Sequence, residues 1–208
     1  MNAGLLHSAL TEIKEPSTKA SPMNTEAWAR WLDVDMRGLP SIRSMVTACA
    51  SFLVAFRGNQ TPRWITLMGK TGVGKTHCAR RVWDYAQRNA NWSRSAYSPR
   101  LVYWPRFVSS LRAGTAFDLL RDMMVWPVLF IDDIGAERDA SGFATEQLNT
   151  LLGCRSDRWT ILTSNLSLEM IAQVEPRIAD RIIRAPNLFV EVDAPSYALA
   201  ADTRKRFA

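Results

Sequence analysis

One octapeptide limits the possible folds of this 208-residue chain more than any other feature. It matches G-x-x-x-x-G-K-[ST] at every fixed position, and its residues are Gly69, Lys70, Thr71, Gly72, Val73, Gly74, Lys75 and Thr76. An apolar run at 64–68 precedes it, and apolar residues at helical spacing follow it. A strand, a glycine loop and a helix start in this order direct backbone N–H groups and the positive end of a helix dipole at one point. The sequence therefore predicts a phosphate-binding site.

Two side chains of this motif have predicted roles. Lys75 is placed to reach the β- and γ-phosphates of a nucleotide, and the Thr76 hydroxyl is placed to bind Mg²⁺. The alternative is a glycine-rich turn that only joins a strand to a helix. Four matched positions in the correct context favour the nucleotide site.

A pair of aspartates follows the apolar run at 128–131. Asp132 is placed to hold Mg²⁺, because the carboxyl end of a buried strand is where such sites lie. Asp133 is the candidate for orienting or deprotonating an attacking water, and Glu137 is close enough to compete for that role. The alternative is that the two aspartates begin a turn before Gly135.

Three polar residues further along the chain complete the predicted site. Asn165 follows the predicted strand 159–163 and can contact the γ-phosphate or the water if that strand neighbours the Asp132 strand. An asparagine after a strand is also ordinary turn chemistry. Arg177 and Arg181 lie four residues apart on one face of a predicted helix, and arginine suits the charge of a transferring phosphoryl group. Surface ion pairing is the alternative for both arginines.

Strand and helix patterns alternate from residue 37 onwards, which predicts a parallel sheet with helices on both faces. The predicted strands are the apolar runs at 64–68, 101–104, 128–131, 159–163 and 188–192. Residues 37–208 are assigned to this domain. Residues 1–36 are predicted to form a flexible segment with a short helix, which either docks a partner or frays.

Charge and cysteine content restrict the partners and the compartment. The formal net charge of +6 favours a polyanionic partner such as nucleic acid, although a basic solvated surface is the commoner explanation. Three widely spaced cysteines without a C-x-x-C pair predict reduced thiols. No apolar run is long enough for a membrane span, and no signal peptide is recognisable. The sequence predicts a cytoplasmic protein without a membrane partner.

Four motifs, in their order along the chain, resemble those of AAA+ ATPases. They are the glycine loop 69–76, the segment DDIGAE at 132–137, the segment TSNL at 163–166 and the segment PRIADR at 176–181. Together they most resemble the DnaC/DnaI/IstB group of bacterial and phage helicase loaders and transposition helper ATPases, over residues 37–195. The resemblance implies a three-layer P-loop NTPase whose five parallel strands have the order 5-1-4-3-2, without a helical lid domain.

The resemblance also implies roles for the site residues. ATP and Mg²⁺ would lie between neighbouring subunits, so the protein would self-associate through its ATP interface. The implied assignments are Walker A for 69–76, Walker B for Asp132 and Asp133, sensor 1 for Asn165, and an arginine finger at Arg181, with Arg177 as the second candidate.

A DNA-contacting segment is implied by the same resemblance. In the resembling loaders and initiators, the region that corresponds to residues 104–124 contacts DNA. The candidates here are Arg106, Phe107, Arg112, Phe117 and Arg121. Positive groups track the phosphates of a single strand while aromatic rings stack on its bases. A core position is an equal alternative for both phenylalanines.

The leading function implied by the resemblance is an ATP-dependent helicase loader at the nucleoid. It would assemble on single-stranded DNA and deliver a replicative DNA helicase of the DnaB type during replication initiation. An IstB-like transposition helper, forming ATP-dependent filaments on duplex DNA, is the alternative within the group. A small-molecule P-loop kinase would need an acceptor pocket and an arginine-rich lid. The combination of Asn165 with Arg177 and Arg181 is a poor match to such a kinase. A nucleotide-gated scaffold without hydrolysis is the remaining alternative.

Overall fold

A computed structural model describes residues 24–89 and 100–197. The strands are β1 Trp64–Gly69, β2 Arg100–Tyr103, β3 Val128–Ile134, β4 Trp159–Ser164 and β5 Leu188–Val192. The helices are α1 Thr25–Leu32, α2 Pro40–Gly58, α3 Lys75–Asn89, α4 Trp104–Arg112, α5 Phe117–Val125, α6 Phe143–Gly153, α7 Leu168–Val174 and α8 Pro176–Ile183. None of the helices in these two ranges is long and apolar enough to cross a membrane. Most of the segment predicted to dock a partner or fray lies outside the described residues.

The strands form one parallel sheet in the order β2-β3-β4-β1-β5. This is the predicted order 5-1-4-3-2 counted from the other edge, so the fold prediction is confirmed. Strand β4 lies between β1 and β3, with Thr163 opposite Leu67 and Leu162 opposite Ile131. Because parallel strands end at the same edge of the sheet, the residues that follow β1, β3 and β4 meet there.

Alternate residues of the central strands pack on opposite faces of the sheet. On one face, Phe130 and Ile161 are buried with residues of α1, α2 and α3. On the other face, Ile131 and Leu162 are buried with residues of α4 to α8. The sheet is therefore the middle of three layers. Because helices cover both faces of the sheet, its strands are continuous apolar runs and do not alternate between apolar and polar residues.

Helix α1 belongs to the core, although the sequence assigned it to the segment before the domain. Trp28 is 2% exposed and Leu32 is fully buried, in the cluster that contains α2 and α3. Arg81 of α3 donates a hydrogen bond to the carbonyl oxygen of Trp31 at 2.9 Å. The boundary predicted at residue 37 thus separates a helix from the core that covers its apolar face.

Candidate nucleotide-binding site

The loop between β1 and α3 runs so close to the chain after β5 that two of its positions exclude a side chain. Gly69 has a φ of +132°, and a Cβ there would lie 2.4 Å from the carbonyl oxygen of Val192. Gly72 has a φ of +83°, and a Cβ there would lie 2.3 Å from Ser196 Oγ. The loop leads directly into α3, so the positive end of a 15-residue helix adjoins it. The backbone therefore has the arrangement that phosphate sites use.

The Lys75 side chain is buried at the centre of this loop. Its ammonium donates hydrogen bonds to Gly69 O at 2.6 Å, Lys70 O at 2.9 Å and Asn165 Oδ1 at 2.9 Å. Burial lowers the pKa of Lys75, and the charges of two nearby aspartates oppose this shift. All three ammonium donors are used, so a phosphate at this position has to replace at least one of these acceptors.

Asp132, at the carboxyl end of β3, is 5% exposed and is held by two threonines. Its Oδ1 accepts hydrogen bonds from Thr76 Oγ1 at 2.8 Å and from Thr163 Oγ1 at 2.7 Å. Thr163 Oγ1 also accepts a hydrogen bond from the Asp133 N–H at 2.9 Å, and so it orients both aspartates. Carboxylate and hydroxyl oxygens are ligands that Mg²⁺ prefers, so Thr76 and Asp132 fit the predicted metal site. The role of Thr163 was missed, although it lies in the quoted TSNL segment.

Asp133 has a left-handed backbone, with a φ of 68°, and its carboxylate is held at both oxygens. The Asn165 side-chain amide donates to Oδ1, and the Tyr103 hydroxyl donates to Oδ2 at 3.2 Å. The same Asn165 amide accepts from Lys75, so it bridges the loop lysine and the second aspartate. Strained backbone of this kind is concentrated at functional sites. Tyr103, at the end of edge strand β2, was not predicted.

Glu137, the other candidate for the base, has both carboxylate oxygens in hydrogen bonds outside the cavity. Its Oε1 accepts a hydrogen bond from Trp104 Nε1 at 3.1 Å, and its Oε2 accepts one from the Gly135 N–H at 2.8 Å. Burial raises the pKa of the Glu137 carboxyl, against the effect of these hydrogen bonds. The geometry thus favours Asp133, whose carboxylate lines the site, over Glu137.

One cavity of about 700 Å³ collects the predicted residues, and this volume is in the range of small-molecule sites. Thr71, Gly72, Gly74, Lys75, Thr76, Asp132, Asp133 and Asn165 all line it. Lining residues that the sequence analysis did not predict include Val34, Met45, Tyr103 and Tyr197. Val34 follows α1, and Met45 belongs to α2. The cavity is therefore polar at the loop and partly apolar where these residues enter.

Tyr197 closes this cavity from the chain that follows β5. Its N–H donates to Gly72 O at 2.9 Å, and its hydroxyl donates to the carbonyl oxygen of Asp35. The guanidinium carbon of Arg37 lies 3.9 Å from the centre of the Tyr197 ring. These contacts attach the chain after β5 both to the glycine loop and to the connection between α1 and α2. No sequence pattern marks Tyr197, since its partners are distant along the chain.

The two candidate finger arginines lie on α8, and neither is among the described residues that line the cavity. Arg177 donates from Nε and Nη2 to the two carboxylate oxygens of Glu175 at 2.9 and 2.8 Å. These hydrogen bonds lower the pKa of Glu175 to about 2. Arg181 is half-buried and donates from Nη1 to Asn149 Oδ1 of α6. Arg177 is thus held at the surface, and Arg181 is held against a neighbouring helix.

The five candidate DNA contacts divide into exposed and buried residues. Phe107 is 5% exposed and packs against Trp104 with ring centres 5.6 Å apart, which agrees with the core position given as its alternative role. It lies on the buried face of α4. Phe117 is 43% exposed. Arg106, Arg112 and Arg121 are also exposed, with Arg112 paired to Asp139 at 3.3 Å.

A parallel sheet in this order, with the glycine loop after β1 and the aspartates at the carboxyl end of β3, defines a P-loop NTPase of the AAA+ type. The model of the bacterial DnaA ATPase domain matches residues 44–185, more than half of the chain. The chain belongs to that family.

Similarity to individual proteins supports the predicted resemblance to the DnaI and DnaC group. The chain is 31% identical over 134 residues to the replicative helicase loader DnaI of Bacillus subtilis (strain 168). That match covers 62% of this chain but 41% of the relative's length. A crystal structure of DnaI matches 86% of this chain and 90% of its own at 22% identity, with a TM-score of 0.60. The structure of the replication initiator DnaA bound to AMPPCP and single-stranded DNA matches 80% of this chain and 50% of its own, at 16% identity and with a TM-score of 0.53.

Proposed function

We propose that this chain is a cytoplasmic, ATP-dependent helicase loader that assembles on single-stranded DNA and delivers a replicative DNA helicase of the DnaB type. The family match and the similarity to the DnaI helicase loader support a role in replication. The observation that carries the proposal is a set of hydrogen bonds that joins β2 and α4 to Asp133 of the cavity and to the loop after β3. Helix α4 bears the candidate DNA contacts Arg106 and Arg112. A loader needs such a connection, because nucleotide and DNA have to influence each other's binding.

The cavity suits binding and hydrolysis of ATP. Lys75 contacts the β- and γ-phosphates, while Val34, Met45 and Tyr197 accept the base at the other end of the cavity. Mg²⁺, held by Thr76 and Asp132, neutralises phosphate charge when bound.

Hydrolysis requires a water molecule placed in line with the γ-phosphate. Asp133 takes a proton from this water, and Asn165 orients it through the amide that already contacts Asp133. The Tyr103 hydroxyl keeps the Asp133 carboxylate turned toward the cavity.

Three hydrogen bonds connect α4 and the strand before it with the loop after β3. Tyr103 donates to Asp133, and Trp104 donates to Glu137 at 3.1 Å. At the other end of α4, Arg112 donates to Arg138 O at 2.6 Å. A DNA phosphate that draws the Arg112 guanidinium away from Arg138 O therefore releases the loop that follows β3, the strand that carries Asp133. This is the route by which DNA changes the hydrolysis rate.

The finger arginines act on the ATP of a neighbouring subunit. Their absence from the lining of the cavity in their own chain, among the described residues, supports this arrangement. ATP then holds two subunits together, and its hydrolysis releases them. Self-association through the ATP interface is part of the same proposal.

DNA binding is tested by fluorescence anisotropy with a labelled single strand and a duplex of equal length, in a slowly hydrolysed ATP analogue. Replacing Arg112 by Gln should weaken single-strand binding, and affinity should fall steeply with salt because phosphate contacts release counterions. Arg88→Gln is the control, since Arg88 is an exposed arginine of α3 that contacts its own helix. Salt-independent binding, or equal affinity of the two variants, contradicts the DNA surface.

The choice between loader and transposition helper rests on two further readouts. A loader prefers the single strand and co-purifies with a hexameric replicative helicase when the ATP analogue is present. Preference for the duplex, with ATP-dependent filaments, assigns the IstB-like function instead. Neither outcome changes the nucleotide site itself.

A further inference from the structure

Tyr197 of the nucleotide cavity has an arginine against one face of its ring. The guanidinium carbon of Arg37 lies over this ring, 3.9 Å from the ring centre. Tyr197 lines the nucleotide cavity, whereas Arg37 lines a smaller cavity beside α1 and is not among the described residues that line the nucleotide cavity. The ring therefore separates the guanidinium from the nucleotide cavity, and the ring surface away from Arg37 is the part that meets a bound nucleotide.

Three further contacts fix the orientation of Tyr197. Its hydroxyl donates to the carbonyl oxygen of Asp35, and its backbone N–H donates to Gly72 O at 2.9 Å. Burial raises the pKa of Tyr197, against the charge of Arg37, so the hydroxyl keeps the proton that it donates. A Cβ on Gly74 would lie 3.4 Å from Tyr197 Cε2, so one edge of the ring borders the glycine loop. The ring is thus held at its hydroxyl, along one edge and on one face.

The Arg37 guanidinium has few competing partners. Its Nε and Nη2 have almost no solvent contact and no hydrogen-bond partner among the described residues. A cation is attracted to the face of an aromatic ring more strongly where water is excluded. The Arg37 backbone N–H donates to Asp35 Oδ1 at 2.9 Å. Asp35 therefore holds both members of the pair, Arg37 through its carboxylate and Tyr197 through its carbonyl oxygen.

We propose that Arg37 is a positioning residue for nucleotide binding, which holds the Tyr197 ring so that the base of ATP stacks on the opposite face. Bases bind to aromatic side chains by stacking on the ring face. A ring that packing already holds loses little conformational entropy when the base binds. This inference rests on the proposed binding of ATP. It concerns the base alone, since Arg37 does not line the cavity that contains the glycine loop.

Calorimetric titration with ATP and with inorganic triphosphate tests this role. Arg37→Met keeps the aliphatic part of the side chain and a Cβ at the same φ of 50°, but it removes the guanidinium. It should raise the dissociation constant for ATP about fivefold and leave that for triphosphate unchanged. Arg37→Lys keeps the charge without the planar group, should lose less affinity, and decides the test if Arg37→Met folds poorly. Arg30→Met is the matched control, because Arg30 is an exposed arginine of α1 that lines the same smaller cavity.

A double-mutant cycle with Tyr197→Ala shows whether Arg37 acts through the ring. In the Tyr197→Ala background, adding Arg37→Met should cause no further loss of ATP affinity. In steady-state hydrolysis, Arg37→Met should raise KM for ATP and leave kcat unchanged. A residue that only stabilised the fold would instead weaken ATP and triphosphate binding equally, with or without the ring.

Three results overturn the inference. They are equal ATP affinity of Arg37→Met and Arg30→Met, an equal loss of ATP and triphosphate binding in Arg37→Met, and a loss of ATP affinity that persists in the Tyr197→Ala background. If the parental protein binds ATP, each of these results leaves the proposed function intact. A parental protein that binds neither ATP nor triphosphate overturns the proposed function and this inference together.

Discussion

Lys75 and Asn165, 90 residues apart in the sequence, are joined by a hydrogen bond of 2.9 Å between the ammonium and the side-chain amide oxygen. The other end of that amide donates to Asp133. Three elements of the proposed chemistry, the phosphate-binding cation, the water-orienting amide and the base, are therefore in direct contact. A phosphate that draws Lys75 away frees the Asn165 oxygen to accept a hydrogen bond from the attacking water, whose proton goes to Asp133.

Lys75→Ala should weaken ATP binding at least tenfold, because a hydrogen bond to a charged group contributes about 1.5–3 kcal/mol. Lys70→Ala is the matched control, since Lys70 is exposed and contacts Lys75 through its carbonyl oxygen.

Asp132→Asn should lose Mg²⁺-dependent turnover with a smaller effect on ATP binding. Calorimetric ATP binding and phosphate release measure both effects. Parental rates of hydrolysis in Lys75→Ala and Asp132→Asn would show that the site is assigned wrongly.

Asp133→Asn should retain ATP binding and reduce hydrolysis by about 10²–10⁴, the usual contribution of a general base. Glu137→Gln should cost much less turnover, since the Glu137 carboxylate is engaged with Trp104 and Gly135. Single-turnover phosphate release compares the two variants. The reverse order of effects would make Glu137 the base.

The parts of this site that the sequence predicts are those encoded by local spacing. The glycine loop and the aspartate pair at the end of β3 are short motifs, and the apolar strand pattern before each of them is also local. The prediction for Asn165 also required that β4 lie beside β3 in the sheet. The two strands do pair in parallel. Tyr103 and Tyr197 could not be predicted, because they reach the cavity only through the sheet order and the path of the chain after β5.

The burial of Phe107 has a local cause in the sequence. Trp104, Phe107, Val108 and Leu111 recur at helical spacing, and all four are buried on one face of α4. This periodicity indicates a core position, which the sequence analysis gives as an equal alternative to base stacking. Arg112, outside that stripe, stays exposed.

Tyr197→Ala should raise the dissociation constant for ATP about tenfold, since stacking of a base on an aromatic ring contributes about 1–3 kcal/mol. Tyr197→Phe retains the ring and should bind more tightly than Tyr197→Ala. Inorganic triphosphate, which lacks the base, is the control ligand, and its affinity should be equal in both variants. An equal loss of ATP and triphosphate binding would instead mean that the Tyr197 ring supports the glycine loop beside Gly74, because the Tyr197 N–H that donates to Gly72 is still present in the alanine variant.

Arg155 is a fully buried cation that the sequence did not single out. It donates to Thr160 Oγ1, Met123 O, Trp126 O and Trp159 O, and burial lowers its pKa to about 9. Arg155→Met would leave buried carbonyl oxygens without donors and should lower the free energy of unfolding by about 3 kcal/mol. The urea midpoint followed by circular dichroism measures this, with exposed Arg88→Met as the control. Equal midpoints would show that these hydrogen bonds are replaced by water.

Hydrolysis should require two subunits, because the finger arginines are absent from the cavity lining of their own chain among the described residues. An arginine that stabilises the transferring phosphoryl group contributes about 10³–10⁵ in rate in GTPases. Arg181→Ala should therefore bind ATP normally and hydrolyse it poorly, with Arg177→Ala as the comparison. Specific activity of the parental protein should rise with protein concentration.

Mixing two inactive variants separates action on a neighbour from a structural role of Arg181. In a mixture of Arg181→Ala and Lys75→Ala, some interfaces pair an intact glycine loop with an intact arginine, and activity should recover. Asn149→Ala is the structural control, because it removes the contact that holds Arg181 within its own chain while the guanidinium remains. It should retain most of the activity. If Arg181→Ala and Arg177→Ala are each fully active alone, both arginines are ordinary surface residues and the finger assignment fails.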